Sequence, residues 1–367
     1  MERRLVVYSP CGTSVLTNAA RQHTRTIYQW ANARSEDEVA DRGPIKEAIA
    51  AAEAAINGAS IEDAKKLSAE LNGLLRLYPD QRPSPRDHYV LLATDTWLGK
   101  TAANLIERWL RANGAQGVTL HVCNDLRTSS LQEFHWALTD LVEWLEGDTS
   151  KWREAGYSVV FNLTGGFKSI QGFLQSMAHL YADESVYIFE SAGELLRLPR
   201  LPLRLDVEDE LRHHREVFAR LEKDLTVERA QIAELPSVFV VELDSDVGLS
   251  AWGKAIWLRG KQDLYQQEVF PPPTDQARFG PRFLKNVEDL PRDRKHRLNE
   301  QFEWLARFLE RGENPKGLGF QQLRTPAGES THEFYAWSDR DARRVYCHFE
   351  QEGDKRVLVL DRLDRHL

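Results

Sequence analysis

The chain has 367 residues, 42% of them hydrophobic and 28% charged, with a formal net charge of −8. At roughly 150 residues per domain this length suggests about two domains, the composition excludes a disordered or fibrous chain, and no apolar run approaches the ~18–20 residues of a membrane span. Met1-Glu2-Arg3-Arg4 runs into a short apolar segment without the core of a signal peptide, and Cys11, Cys123 and Cys347 are too dispersed for a CxxC metal site or a disulfide framework, so a cytoplasmic protein with incidental thiols is expected.

The first half alternates strand-like and helix-like runs. Leu5–Tyr8 is apolar and ends at Ser-Pro-Cys-Gly-Thr-Ser, after which Val15–Trp30 reads as a helix. Tyr89–Ala93, Val118–Val122, Tyr157–Asn162 and Ser185–Phe189 have the pattern of buried strands, and the intervening Gly99–Ala112, Leu131–Glu146 and Lys168–Tyr181 that of helices. Such units predict an α/β domain around a mostly parallel sheet covered on both faces, with the polar residues that follow each strand gathered along one rim. Residues 36–77, rich in Ala and Glu, interrupt this plan as a helical insertion with an expected packing or dimer-contact role.

One turn carries definite chemistry. Asn162-Leu163-Thr164-Gly165-Gly166-Phe167-Lys168 stands where a strand gives way to a helix. Paired glycines let backbone N–H groups approach a ligand, Thr164 offers a hydroxyl, the helix start attracts anions, and Lys168 adds a positive charge, so phosphate binding is implied. The first loop, Gly12-Thr13-Ser14, places small hydroxylated residues at the equivalent end of the first strand.

These two turns, in this strand order, make residues 1–205 resemble the CRISPR-associated Rossmann-like (CARF) sensors, in which G-T-S and N-x-T-G-G-x-K turns are the recurring ligand signatures. The resemblance implies a homodimer that holds a cyclic oligoadenylate, cyclic tetra-adenylate being the first expectation, across its two-fold axis. Gly12, Thr13, Ser14, Thr164, Gly165, Gly166, Phe167 and Lys168 would bind it, joined by Asp95, Thr96, Asn124, Arg127 and Thr128 on neighbouring rim loops. It also implies a ring nuclease activity that cleaves the activator, with Ser14 and Lys168 positioning the ribose 2′-OH and stabilising charge. No metal or other cofactor is expected.

Residues 206–234 have the pattern of one charged amphipathic helix and are expected to link two domains. Beyond Pro236 the grammar changes to an α+β domain over 235–367: a strand at Ser237–Leu243, an amphipathic helix at Arg292–Arg311, and β segments at Phe320–Leu323, His332–Trp337, Arg344–Phe349 and Arg356–Leu360 that form an antiparallel meander. The acidic excess does not extend here. Residues 1–235 hold 27 Lys and Arg against 34 Asp and Glu, whereas 236–367 hold 21 against 22, and 278–297 alone has seven basic residues against three acidic ones. A basic surface therefore survives under an acidic total.

Pro315-Lys316-Gly317-Leu318, Arg344-Val345-Tyr346 and the terminal run from Val357 to His366 follow in the order of RelE-like mRNA interferase toxins, which this second domain resembles. The resemblance implies an endoribonuclease that acts on mRNA in the ribosome by metal-independent attack of the 2′-OH. Lys316, Arg324 and Arg344 are expected to stabilise charge, His332, Tyr335, Arg365 or His366 to move protons, and Arg343 to add a further cation. The basic region 278–311 would contact rRNA or a ribosomal protein. Arg343 and His348 also match the R-x4-H of HEPN ribonucleases, but five-residue spacing on a strand puts them on opposite faces. A ligand-gated transcription regulator and a HEPN-type ribonuclease are the alternative readings.

Overall fold

Val6, Val7 and Tyr8 are fully buried, and their strand, β1 (Arg4–Pro10), lies between two parallel neighbours. The computed structural model describes residues 3–127, 130–189, 193–202, 206–243 and 246–365, which fall into two units, Met1–Arg204 and Leu205–Leu367. In the first unit β1, β2 (His88–Thr94), β3 (Gly117–Cys123), β4 (Tyr157–Asn162) and β5 (Glu184–Phe189) run parallel, and β6 (Glu194–Pro199) closes one edge antiparallel to β5. The spatial order is β3-β2-β1-β4-β5-β6. Progression along the sheet therefore reverses between β1 and β4, and the crevice beyond their carboxyl ends is where open α/β sheets bind ligands.

Both faces of this sheet are covered, which explains why its central strands are apolar at consecutive positions rather than alternating. On one face the core contains Val7, Tyr89 and Leu91 with residues from α1 (Ser14–Ala19), α2 (Thr24–Gln29), α3 (Gly43–Ile56), α4 (Ile61–Leu67), α5 (Ala69–Leu75) and α6 (Trp97–Ala112). On the other, Tyr8 meets the rings of Phe161 and of Trp144 from α7 (Leu131–Glu154), and α8 (Lys168–Tyr181) packs on β4 and β5. The single helix expected over Val15–Trp30 is two helices, because Ala20 leaves the helical region (φ −133°, ψ 63°) and a 3-10 turn follows, which lets both Leu16 and Ile27 reach the core.

Insertion 36–77 is a full member of this core. In α3, Ile45, Ala48, Ala52 and Ile56 are buried at three- and four-residue spacing, while Ser60 and Ser68 cap α4 and α5 by accepting from Asp63 and Leu71 N–H groups. The α5 helix then packs against β1, β4 and β5, which brings the insertion under the two strands that end at the switch point.

The second unit corrects the linker reading. Instead of one helix over 206–234 there are α9 (Glu208–His213), α10 (Arg215–Glu222) and α11 (Arg229–Ala233), interrupted at His214 and again beyond Lys223, where Asp224 adopts φ +56°. The breaks serve burial. Leu211, Val217, Phe218 and Leu221 form one cluster with Trp257, Leu264 and Tyr265 of α12 (Ala251–Gln267), a helix that follows the hairpin of β7 (Val240–Leu243) and β8 (Asp246–Leu249).

From Ala277 onwards the chain runs β9 (Ala277–Phe279), α13 (Pro281–Val287) and α14 (Arg292–Arg311), then β10 (Gln321–Ala327), β11 (Ser330–Trp337), β12 (Arg343–Glu352) and β13 (Lys355–Arg365). These strands form a five-stranded sheet ordered β10-β11-β12-β13-β9, antiparallel except that β9 joins β13 in parallel. Leu298, Phe302 and Leu305 of α14 pack on Phe334, Val345, Cys347, Leu358 and Leu360, so one sheet face is apolar and the residues of opposite parity point away from α14. Among the described residues no helix is long and apolar enough to cross a membrane.

Candidate functional site

At the switch point of the first unit, β1 and β4 each give way to a glycine turn, and the two turns touch: a Cβ on Gly12 would lie 3.3 Å from Gly166 Cα. A carboxylate fills the space between them. Glu70 Oε1 accepts from the Gly12 N–H at 2.8 Å and the Gly166 N–H at 3.2 Å, while Oε2 accepts from the hydroxyls of Ser14 and Ser68, both at 2.7 Å. Ser14 Oγ also accepts from Ala69 N–H at 3.1 Å. Glu70 is 1% exposed, and no cation pairs with it among the described residues. Its charge is met entirely by neutral donors, the same kind of concave N–H and O–H cluster that receives anions elsewhere.

Sterics hold this arrangement. Gly165 has no room for a side chain, since a Cβ there would stand 2.3–2.4 Å from the Cγ, Cδ and Oε1 of Glu70. The buried Asn162 amide donates to Ser9 Oγ at 3.1 Å and to the Glu70 carbonyl at 2.9 Å, tying β1, β4 and α5 together. Thr164 Oγ1 is buried without a hydrogen-bond partner among the described residues. Burial, helped by Glu70, pushes the nearby Cys11 thiol well above its ordinary pKa, so it is inert.

The rest of the rim is more exposed. Lys168 opens α8 and faces solvent, and Phe167 before it packs its ring 6.1 Å from that of Phe134. Thr13 uses its carbonyl to accept from Leu16 and Thr17 N–H groups at the start of α1. Asp95 lies 3.8 Å from both Arg34 and Arg127, and Arg127 also pairs with Glu133 at 2.7 Å. Thr96 is the cap of α6, accepting from Gly99 N–H at 3.1 Å, and Asn124 is exposed in the turn after β3. Thr128 lies outside the described residues.

In the second unit the sheet face away from α14 carries a polar cluster. The Arg344 guanidinium lies 3.3 Å from the centroid of the Tyr335 ring, in the register pair Tyr335 with Arg344, and its Nη1 is buried without a hydrogen-bond partner among the described residues. The turn that carries Lys316 abuts the same tyrosine. Tyr335 N–H donates to the Leu318 carbonyl at 2.8 Å, and Gly319, at φ +56°, sits so close that a Cβ would come within 2.2 Å of the ring. Arg343 and Arg365 pair across β12 and β13, both reaching Asp341, at 3.5 and 3.6 Å. Tyr335, Arg344 and the turn of the exposed Lys316 therefore gather at one end of the meander, whereas Arg343 and Arg365 have the parity of Val345 and Leu363, on the α14 side of the sheet.

His332 and Arg324 do not join them. His332 has the parity of the apolar face, stacked on Phe320 and edge-on to Phe349, and burial with nearby Arg356 lowers its pKa. Arg324 is exposed on the edge strand β10, within its register shift. His366 lies outside the described residues. On the polar face stands instead His348, whose Nδ1 meets Asp361 at 2.8 Å and Nε2 meets Glu350 at 3.0 Å. Burial draws its pKa down, but the two carboxylates outweigh burial and raise it. Asp361 is fixed in turn by the Ser330 hydroxyl at 2.7 Å.

Residues 65–201 match the family model of a CRISPR-associated protein (Cas_APE2256). The match indicates a CRISPR-associated protein. It takes in α5 with Glu70, the Thr164-Gly165-Gly166 turn and every strand from β2 to β6, and it stops short of the second unit. No curated protein matches the chain.

Sequence reasoning misses Glu70 and the Asp361–His348 pair. Glu70 stands in a short helix of the 36–77 insertion, 56 residues from Ser14. A capping serine two residues before it marks the start of α5, but nothing local indicates that its carboxylate turns inward. Asp361 meets His348 as the diagonal neighbour of its register partner Val359, a pairing that depends on how β12 and β13 align and not on either strand alone.

Proposed function

We propose that this chain is a CRISPR-linked, ligand-activated endoribonuclease: a CARF-type sensor in the first unit binds a cyclic oligoadenylate, as a homodimer, and a RelE-like second unit then cuts ribosome-bound mRNA. The CRISPR-associated family match lies on the unit whose parallel sheet ends in two glycine turns at a switch point, which supports the sensor half. The nuclease half is supported by the run of strand, two helices and four-stranded meander over 277–365. The observation that carries it is the Arg344 guanidinium, clamped on Tyr335 beside the Lys316 turn with a buried N–H left unpartnered. Buried donors are rarely left unpaired, and a phosphodiester oxygen is the partner that this cationic site would take.

The chemistry is that of an RNA chain cleaved by its own sugar. The 2′-oxygen attacks phosphorus, the bond to the 5′-oxygen breaks, a proton leaves the 2′-OH and another arrives at the 5′-oxygen, giving a 2′,3′-cyclic phosphate and a 5′-OH. Arg344 and Lys316 meet the charge that grows on the equatorial oxygens. The Tyr335 hydroxyl, held between the 315–319 turn and Arg344, exchanges protons at one end of the in-line path.

Cyclic tetra-adenylate and cyclic hexa-adenylate, added separately with naked mRNA or with translating ribosomes, test the whole reading. Cleavage with 2′,3′-cyclic phosphate ends, strongest with one ring size and with ribosomes, is expected. Absence of cleavage in every combination defeats the nuclease assignment, and absence of ring binding in calorimetry defeats the sensor.

A further inference from the structure

An anion site that is already occupied from within makes a different prediction from one that is vacant. At the switch point the donors expected to receive a ligand phosphate, the Gly12 and Gly166 N–H groups and the Ser14 hydroxyl, all point at Glu70. The carboxylate is 1% exposed, its own carbonyl is held by Asn162, and Gly165 is closed against its side chain. Four charge-assisted hydrogen bonds of ordinary length and no competing cation make it a satisfied group rather than a loose one. A ligand phosphate seated on the same donors would stand against a buried negative charge in a site with little water, where repulsion is weakly screened.

We infer that Glu70 is the resident anion of the two glycine turns. It acts as a positioning residue: it locks the turns after β1 and β4 to α5, and it excludes ligand phosphate from their inner N–H groups, so that an anionic ligand is met by the outer rim where Lys168 stands. The inference rests on the sensor reading for the ligand but not for the carboxylate. Its consequence is specific. Removing the side chain leaves a cavity with the size and donor set of a small carboxylate, so a soluble one should refill it.

The test uses the full chain with Glu70→Ala and Glu70→Gln, followed by thermal unfolding in sodium acetate against sodium chloride at equal ionic strength. Glu70→Ala should unfold at lower temperature than wild type and recover, saturably, with acetate alone. Glu70→Gln keeps the volume but turns an amide donor toward donors, so it should be destabilised and show no acetate response. A wild-type melting temperature in Glu70→Gln, or the same acetate response in wild type and Glu70→Ala, overturns the inference. If Glu70→Ala does not fold, Glu70→Gln alone decides.

A second arm solves the structure of wild type in complex with cyclic tetra-adenylate. Glu70 still bonded to the Gly12 and Gly166 N–H groups, with the ring phosphates at the outer rim, supports separate seats, and a ligand phosphate on those N–H groups refutes them. If wild type does not bind the ring at all, the sensor reading fails while the thermal arm still judges Glu70.

Discussion

Glu222 and Glu303 share a buried cluster with Lys223, Lys261, Trp257 and Tyr265, and the two acids should respond very differently to neutralisation. Glu222 accepts from Lys261 at 2.7 and 2.9 Å and from the Trp257 indole N–H, with Lys223 at 3.5 Å. Among the described residues Glu303, fully buried, accepts only from the Tyr265 hydroxyl at 2.7 Å, with Lys223 and Lys261 at 3.3 and 3.5 Å from an Oε2 that has no hydrogen bond there. Burial pushes the Glu222 carboxyl up, yet Lys261 and Lys223 hold it down to about 2, whereas burial and the neighbouring Glu222 raise Glu303. Lys261, although burial draws it down, is raised to about 12 by Glu303 and Glu222 and stays charged.

Glu222→Gln therefore strands a buried ammonium and should cost about 3–5 kcal/mol. At about 2–4 °C per kcal/mol for a unit of this size, the transition falls by roughly 6–20 °C. Glu303→Gln keeps an acceptor for Tyr265 and, since the carboxyl is biased toward its neutral form, should cost less than Glu222→Gln, the more so as pH falls. The pH signs also differ. Stability from Glu222 is complete above 4.5 and lost as pH falls toward 2, while Glu303, binding its proton more readily folded than unfolded, adds stability as pH drops through its raised pKa. Thermal unfolding of both variants at pH 5.5 and 7.5 measures this, and a Glu303→Gln variant as unstable as Glu222→Gln at pH 5.5 would refute the assignment.

His348→Gln should destabilise more at pH 5.5 than at pH 8.5 in denaturant titrations, because the charged ring between Asp361 and Glu350 stabilises the fold below the unfolded pKa of 6.5 and that contribution is lost as pH rises through the raised folded value; equal effects at both pH values would contradict the pairing. Gly165→Ala should cost about 1–3 kcal/mol by forcing a methyl into Glu70, while Gly147→Ala in α7, with nothing near its Cβ, should be neutral or stabilise by up to about 1 kcal/mol; calorimetry distinguishes them. Arg344→Lys should lower single-turnover RNA cleavage at least about tenfold, since an ammonium cannot stack on Tyr335 and present a planar fork together, with unchanged circular dichroism as the control.

Much of the first unit is legible in residue type alone. Its strands are short runs buried on both sides, and the Gly12-Thr13-Ser14 and Thr164-Gly165-Gly166 turns carry glycines where chains approach closely, both local properties that the side chains express directly. The meander of the second unit is visible for the same reason, down to the opposite faces taken by Arg343 and His348. Edge strand β6 is not, since it is mostly exposed, with only Leu195 and Leu198 half-buried, three positions apart.

Tertiary structure alone decides which polar groups meet. Amphipathicity shows that α5 has an inward face, but whether Glu70 lies at a dry interface or at the rim depends on how the insertion docks beneath β1 and β4. Likewise the pattern of 206–234 suggests one charged amphipathic helix until α12 supplies the apolar surface that folds it into three pieces, and His348 finds Asp361 only once β12 and β13 align. Local sequence determines the hydrogen-bonding period of the backbone and the chemistry of its turns. The pairing of charges depends on distances between segments far apart in the chain, and those are set when the cores close.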